Sequence, residues 1–125
     1  MSDSDAKSYE IAIVNHTREE LTRKEVHLDL QSLWSKDGTY VPPERIPSGN
    51  TAHFGSEGRS FVVGTQGYVI YTSSAGDFRV DWDNPFVEKK NSSSAECPNG
   101  IQKSKEDPEG YEDNATLKVT FYEAN

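Results

Sequence analysis

Alternation of period two runs through this chain and constrains it more than any other feature. Phe78, Val80 and Trp82 alternate with Arg79 and Asp81, and Leu117, Val119 and Phe121 alternate with Lys118 and Thr120. Tyr9, Ile11 and Ile13 begin a similar run, and Val26, Leu28 and Leu30 alternate with His27, Asp29 and Gln31. Successive side chains of an extended strand point to opposite faces, so each run has one face for a core and one for water. Thr17 and Glu20 have capping-box spacing, which admits a short helix. The alternation that follows favours a strand there instead.

Turn residues divide the runs. Ser60–Val63 and Tyr68–Tyr71 are the strongest strand signals, being β-branched and aromatic, and Gly64-Thr-Gln-Gly67 between them reads as a hairpin turn. Ser73–Gly76 reads as a second turn, and Pro85 ends the strand that carries Trp82. Gly38, Pro42, Pro43, Pro47 and Gly49 make the stretch from Trp34 to Gly49 a crossing loop. Residues 88–113 read as one long polar loop, residues 1–7 as a flexible tail, and residues 8–125 as a single domain. The sum is an all-β fold of six to eight short strands, an antiparallel β-sandwich or barrel.

The chain has 125 residues, which is the size of one ordinary domain. Its formal net charge of −8 argues against nucleic acid as a partner, because phosphate binding needs a basic patch. The same charge opposes docking on anionic lipid but leaves neutral or zwitterionic headgroups open. Cys97 is the single cysteine, so no intramolecular disulfide forms. Met1-Ser-Asp-Ser-Asp has neither a basic start nor an apolar run. The expectation is therefore cytoplasmic synthesis without a signal peptide, with any release by a non-classical route.

Little in the chain suggests catalysis. His16, His27 and His53 have no metal-ligand spacing with one another or with Cys97. There is no nucleophile elbow, and the glycines around Thr65 are not followed by a helix that would cradle a phosphate. Asp81 and Asp83 flank Trp82 and share a strand face, which is the one pairing suited to acid–base work or, with Asp107, Glu109 and Asp113, to calcium. An exposed polar face explains them equally well. No enzyme activity, cofactor or metal is expected. Trp82 and Phe86 stand at a strand end and a proline corner, where aromatics either close a core or meet a membrane interface or a sugar ring. The pattern leaves both readings open.

Several motifs fall in one order along the chain. Glu57-Gly58-Arg59 is followed by Gly64-Thr65-Gln66-Gly67 with Val69 and Tyr71, then by Trp82-Asp83-Asn84-Pro85-Phe86 and Asn91. This series resembles the aegerolysins, and also bacterial crystal-protein-like sequences of the actinoporin-like superfamily. The resemblance spans most of residues 9–122 and is most specific over residues 57–91. It implies a β-sandwich of actinoporin-like shape and a cytolysin-like protein that binds membrane lipid, sphingolipid or phospholipid, with pore formation alongside a second protein in some members. Carried over, it assigns lipid binding to Trp82, Asp83, Pro85 and Phe86, with Arg59 beside them; Tyr68, an aromatic of a strand face, joins the candidate ligand-binding residues on its own chemistry. This chain has Asn84 and Phe86 where fungal members usually have Cys and Trp. The alternative is a carbohydrate-binding lectin on the same scaffold, with Trp82, Tyr68 or Tyr111 stacking on a sugar and Asp81, Asp83 or Asn84 bonding its hydroxyls. A third expectation is a protein-interaction module without a small ligand.

Overall fold

Two five-stranded sheets pack face to face in a computed structural model that describes residues 6–87, 90–107 and 113–123. The strands are β1 (Ser8–His16), β2 (Leu21–Leu28), β3 (Ser32–Trp34), β4 (Arg45–Ile46), β5 (Thr51–Gly58), β6 (Thr65–Ser73), β7 (Gly76–Asn84), β8 (Ser92–Glu96), β9 (Ile101–Glu106) and β10 (Asn114–Glu123). The first sheet runs β3-β5-β1-β10-β9 and the second β4-β2-β6-β7-β8. The sandwich is mostly antiparallel. The exception is β1 beside β10, which pair in parallel from Ser8 opposite Asn114 to His16 opposite Tyr122.

The alternating runs supply the core. Tyr9, Ile11, Ile13, Phe54, Leu117, Val119 and Phe121 face inward from the first sheet, and Leu21, Val69, Tyr71, Phe78, Val80 and Trp82 from the second. Phe78 meets Phe121 edge to face across the gap, with ring centroids 5.1 Å apart. Trp82 sits against Phe54 at 5.6 Å and Trp34 at 6.3 Å. Such aromatic pairs add about 0.5–1.5 kcal/mol beyond the area they bury. The polar groups around Trp82 are satisfied: Thr65 Oγ1 donates to Ser32 Oγ and shares a hydrogen bond with Ser56 Oγ, and the Trp82 indole N–H donates to Ser56 Oγ at 2.9 Å.

Five local expectations are corrected. Phe61 and Val62 lie in a turn, not a strand, because the chain crosses there from the first sheet (β5) to the second (β6). Glycines frame the crossing: a Cβ on Gly58 would stand 2.6 Å from the Val63 carbonyl, and one on Gly64 2.4 Å from the Asn84 carbonyl. The Gly64–Gly67 segment then opens β6 rather than forming a hairpin turn. The segment 88–113, expected as one polar loop, carries β8 and β9. Each is the outermost strand of its sheet and has mostly solvent around it, so neither needs an apolar alternation. The stretch from Trp34 to Gly49 includes a single helical turn, Ser35–Gly38, with Lys36 and Asp37 at positive φ, and the short β4. Finally, Ala6 is buried and Lys7 is ion-paired with Asp113, so the described part of the expected tail is held in place. Residues 1–5 lie outside the described residues.

Candidate binding surface

One end of the sandwich gathers three loops: 29–31 after β2, 59–64 between β5 and β6, and 85–87 after β7. They touch one another. The Arg59 guanidinium donates from Nε to the Leu30 carbonyl at 3.1 Å, the Arg59 amide donates to the Gln31 carbonyl at 2.8 Å, and Gly64 abuts the backbone of Asn84, Pro85 and Phe86. The large apolar side chains exposed here are Leu30 (91%), Phe61 (61%), Val62 (52%), Phe86 (48%) and Val87 (57%). A recess of about 260 Å³ between Gln31, Thr65, Asp83 and Phe86 opens beside Phe86 and Val87. Leu30 departs from its expected alternation: the turn at 29–31, closed by the Ser32 amide donating to the Asp29 carbonyl, turns it to solvent.

The Trp-Asp-Asn-Pro-Phe corner divides between inside and outside. Trp82 is 1% exposed and shares the inward phase of Phe78 and Val80, so it is a core residue and not a ring free to insert or stack. This corrects the placement that the resemblance implied. Gly67 is opposite it for that reason: a Cβ there would stand 2.8 Å from the Trp82 ring. Asn84 is buried as well, its amide donating to the carbonyls of Ser8 and Asp113, each at 2.9 Å. That ties the corner to the first sheet. Pro85 is half-buried, while Phe86 and Arg59 are exposed at the loop end. Asp83 faces outward on β7 and borders the loop-end recess.

Tyr68 stands elsewhere, on the outer face of the second sheet. Its ring lies between the His27 ring (centroids 5.4 Å apart, 27° between planes) and the Arg79 guanidinium at 4.0 Å. Its hydroxyl bonds Glu25, which, with burial, holds the phenol above its ordinary pKa. Arg79 forms a two-pronged bond to Asp81, Nε–Oδ1 at 2.8 Å and Nη2–Oδ2 at 3.0 Å, and this bond raises the guanidinium pKa further. Beside this row a dish of about 440 Å³ opens over Gln66, Asp81, Asp83, Ser92 and Ser94. Sequence reasoning found Tyr68, Asp81 and Asp83 but missed His27, Arg79 and the serines. It also missed Leu30, Phe61, Val62 and Val87 at the loop end. The signal for His27 and Arg79 was the outward phase of strands already recognised; for Phe61 and Val62 it was an apolar run between two glycines.

Among the described residues no three His, Cys, Asp or Glu side chains come together to hold a metal ion. Glu109 and Tyr111 lie outside the described residues. No helix among them is long and apolar enough to cross a membrane, which says nothing of strands.

No protein-family model matches the chain. An uncharacterised protein of Dictyostelium discoideum is 34% identical over 113 residues, which is 89% of this chain but 9% of the relative. The chain thus spans about a tenth of that protein's length. Among solved structures, IP-1A from Alcaligenes faecalis superposes with a TM-score of 0.74 at 16% identity, covering 99% of this chain and 97% of that one. The Xerocomus chrysenteron lectin XCL superposes with a TM-score of 0.50 at 12% identity, covering 91% and 99%. The chain therefore shares an all-β two-sheet sandwich fold with IP-1A and with the lectin.

Proposed function

We propose that this chain is a non-enzymatic, peripheral lipid-binding protein that meets a bilayer with the loop end built from residues 29–31, 59–64 and 85–87. The observation that carries this reading is the gathering of Leu30, Phe61, Val62, Phe86 and Val87, all exposed, on three loops that touch. Exposed apolar side chains scattered singly need no explanation, but five at one end of a domain, on loops that touch, mark an interaction surface. Two large apolar residues in a turn between glycines also break the rule that loops are polar, and such local conflicts fall at functional sites. The aegerolysin resemblance supports the same end of the molecule through Phe86, Pro85 and Arg59, while the burial of Trp82 leaves the apolar contact to Phe61, Val62 and Phe86.

The mode of contact follows from the residues. Side chains of this size reach the headgroup and upper acyl region, where burial gives about 1.5–3 kcal/mol for each large apolar group. Arg59 meets a lipid phosphate, and Asp29 and Asp83 suit the ammonium of a zwitterionic headgroup. Sphingolipid or phosphatidylcholine surfaces fit this arrangement better than anionic ones. The test is co-sedimentation with vesicles of phosphatidylcholine, of sphingomyelin with cholesterol, and of phosphatidylserine. Binding to the first or second kind, lost in Phe61→Ser/Val62→Ser, is the expected result. A folded protein that sediments with none of the three overturns the reading. Leakage of a trapped dye, with and without a second protein, separates binding from pore formation.

A further inference from the structure

The dish on the outer face of the second sheet lies apart from the apolar side chains of the loop end, yet it is built as a site. We propose that it binds a neutral glycan, one hexose ring seated over Gln66, Asp81 and Ser94 with its hydroxyls bonded to them.

Three observations carry this. The first is rigidity. The side chains rise from β2, β6, β7 and β8, not from loops, and Glu25, Tyr68, Arg79 and Asp81 hold one another in a continuous row with His27 stacked on its flank. Long side chains fixed in advance lose little freedom when a ligand arrives. The second is size: about 440 Å³ lies within the range of small-molecule sites and admits one or two sugar rings. The third is chemistry. Gln66 offers both a donor and an acceptor, Ser92 and Ser94 offer hydroxyls, and each Asp81 oxygen keeps a lone pair beyond its bond to Arg79. A ligand that satisfies such a floor brings closely spaced groups that both donate and accept, as vicinal hydroxyls do.

Charge narrows the class. Asp81 cancels Arg79, Glu25 adds a negative charge beside them, and the whole chain is at −8. Phosphate, sulfate and sialic acid are repelled. The Tyr68 ring has a cation on one face and an imidazole on the other, so the sugar is held by its hydroxyls rather than stacked on that ring. Gln66 and Asp83 border both the dish and the loop-end recess, so a sugar carried on a lipid would reach the dish while its tails meet Phe61 and Phe86.

The experiment has two arms. An array of immobilised neutral, sialylated and sulfated oligosaccharides tests free glycan, and phosphatidylcholine vesicles with and without lactosylceramide test the same sugar on a lipid. Neutral glycans bound on the array, or lactosylceramide raising vesicle binding, supports the proposal and tells the two sources apart. Asp81→Asn and Gln66→Ala, with unchanged circular dichroism, should each weaken the sugar-dependent signal by about tenfold, the loss of one hydrogen bond to a charged or well-placed group. Phe61→Ser should leave array binding untouched. Preference for sialylated or sulfated glycans, or no sugar dependence in either arm, overturns the dish proposal while vesicle binding through the loop end stands. Array binding without any vesicle binding overturns the loop-end reading and keeps the dish.

Discussion

Tyr9 faces the core from β1 with a buried hydroxyl that finds no hydrogen-bond partner among the described residues. Ser93 lies beside it, but the Ser93 hydroxyl bonds Asp107. An unpaired buried hydroxyl costs about 1–3 kcal/mol, so Tyr9→Phe is expected to be neutral or to stabilise by about 1 kcal/mol. An upward shift of the urea midpoint with an unchanged slope would show it. Burial, helped by Asp107, pushes the Tyr9 phenol up to about 12, and burial raises Tyr71 as well. The native state therefore holds these protons more tightly than the unfolded chain, whose phenols ionise near 10. Stability is complete below pH ~10 and falls as pH rises from there towards 12, because the unfolded state loses its protons first. Thermal melts across that window should show the fall, and Tyr9→Phe should make it shallower. Trp82→Ala removes a ring packed on Phe54 and Trp34 and should cost about 3–5 kcal/mol, far more than Phe86→Ala at the surface, where an effect within about 0.5 kcal/mol is expected. Equal losses in a denaturation series would contradict the placement of Trp82 in the core.

Strands differ in how plainly they announce themselves. β1, β6, β7 and β10 each have one buried and one open face, and that asymmetry is what alternation encodes. The burial of Trp82 was legible in the same way, through its phase with Phe78 and Val80. β8 and β9 read as Ser-Ser-Ser-Ala-Glu and Ile-Gln-Lys-Ser-Lys-Glu. They are edges with almost nothing to bury, so tertiary pairing rather than local pattern makes them strands. Phe61 and Val62 mislead for the opposite reason: they carry strand chemistry into a crossover whose position depends on where β5 and β6 end. The dish was illegible because its residues come from four strands and only register brings them together. A consequence follows for local stability. β9 pairs on one side only and every residue after Ile101 is exposed, so its amides, with those of β8, should exchange with solvent before those of β1 and β10. Native-state hydrogen exchange in which β9 outlasts β1 would contradict this.

Across the whole molecule, the excess of 21 acidic over 13 basic residues acts on every surface it approaches. Binding to phosphatidylserine vesicles should be weak at low salt and strengthen as the screening length shrinks from ~30 Å at 0.01 M to ~10 Å at 0.1 M. Binding to phosphatidylcholine should barely change. Phosphatidylserine binding that weakens with added salt would show instead that a local basic group such as Arg59 outweighs the net charge. The parallel join of β1 and β10 has a mechanical consequence. β1 starts at the loop end and β10 finishes at the opposite end, with nine residue pairs in register between them. A pull that draws the start of β1 and the finish of β10 apart runs along the two strands and loads the whole ladder in shear. Hydrogen bonds loaded in parallel must break together, whereas a pull across an edge strand such as β9 opens them one at a time. Stretched from residues 8 and 123, the sandwich should resist far more force than when it is peeled from β9, and single-molecule pulling in the two geometries would measure the difference.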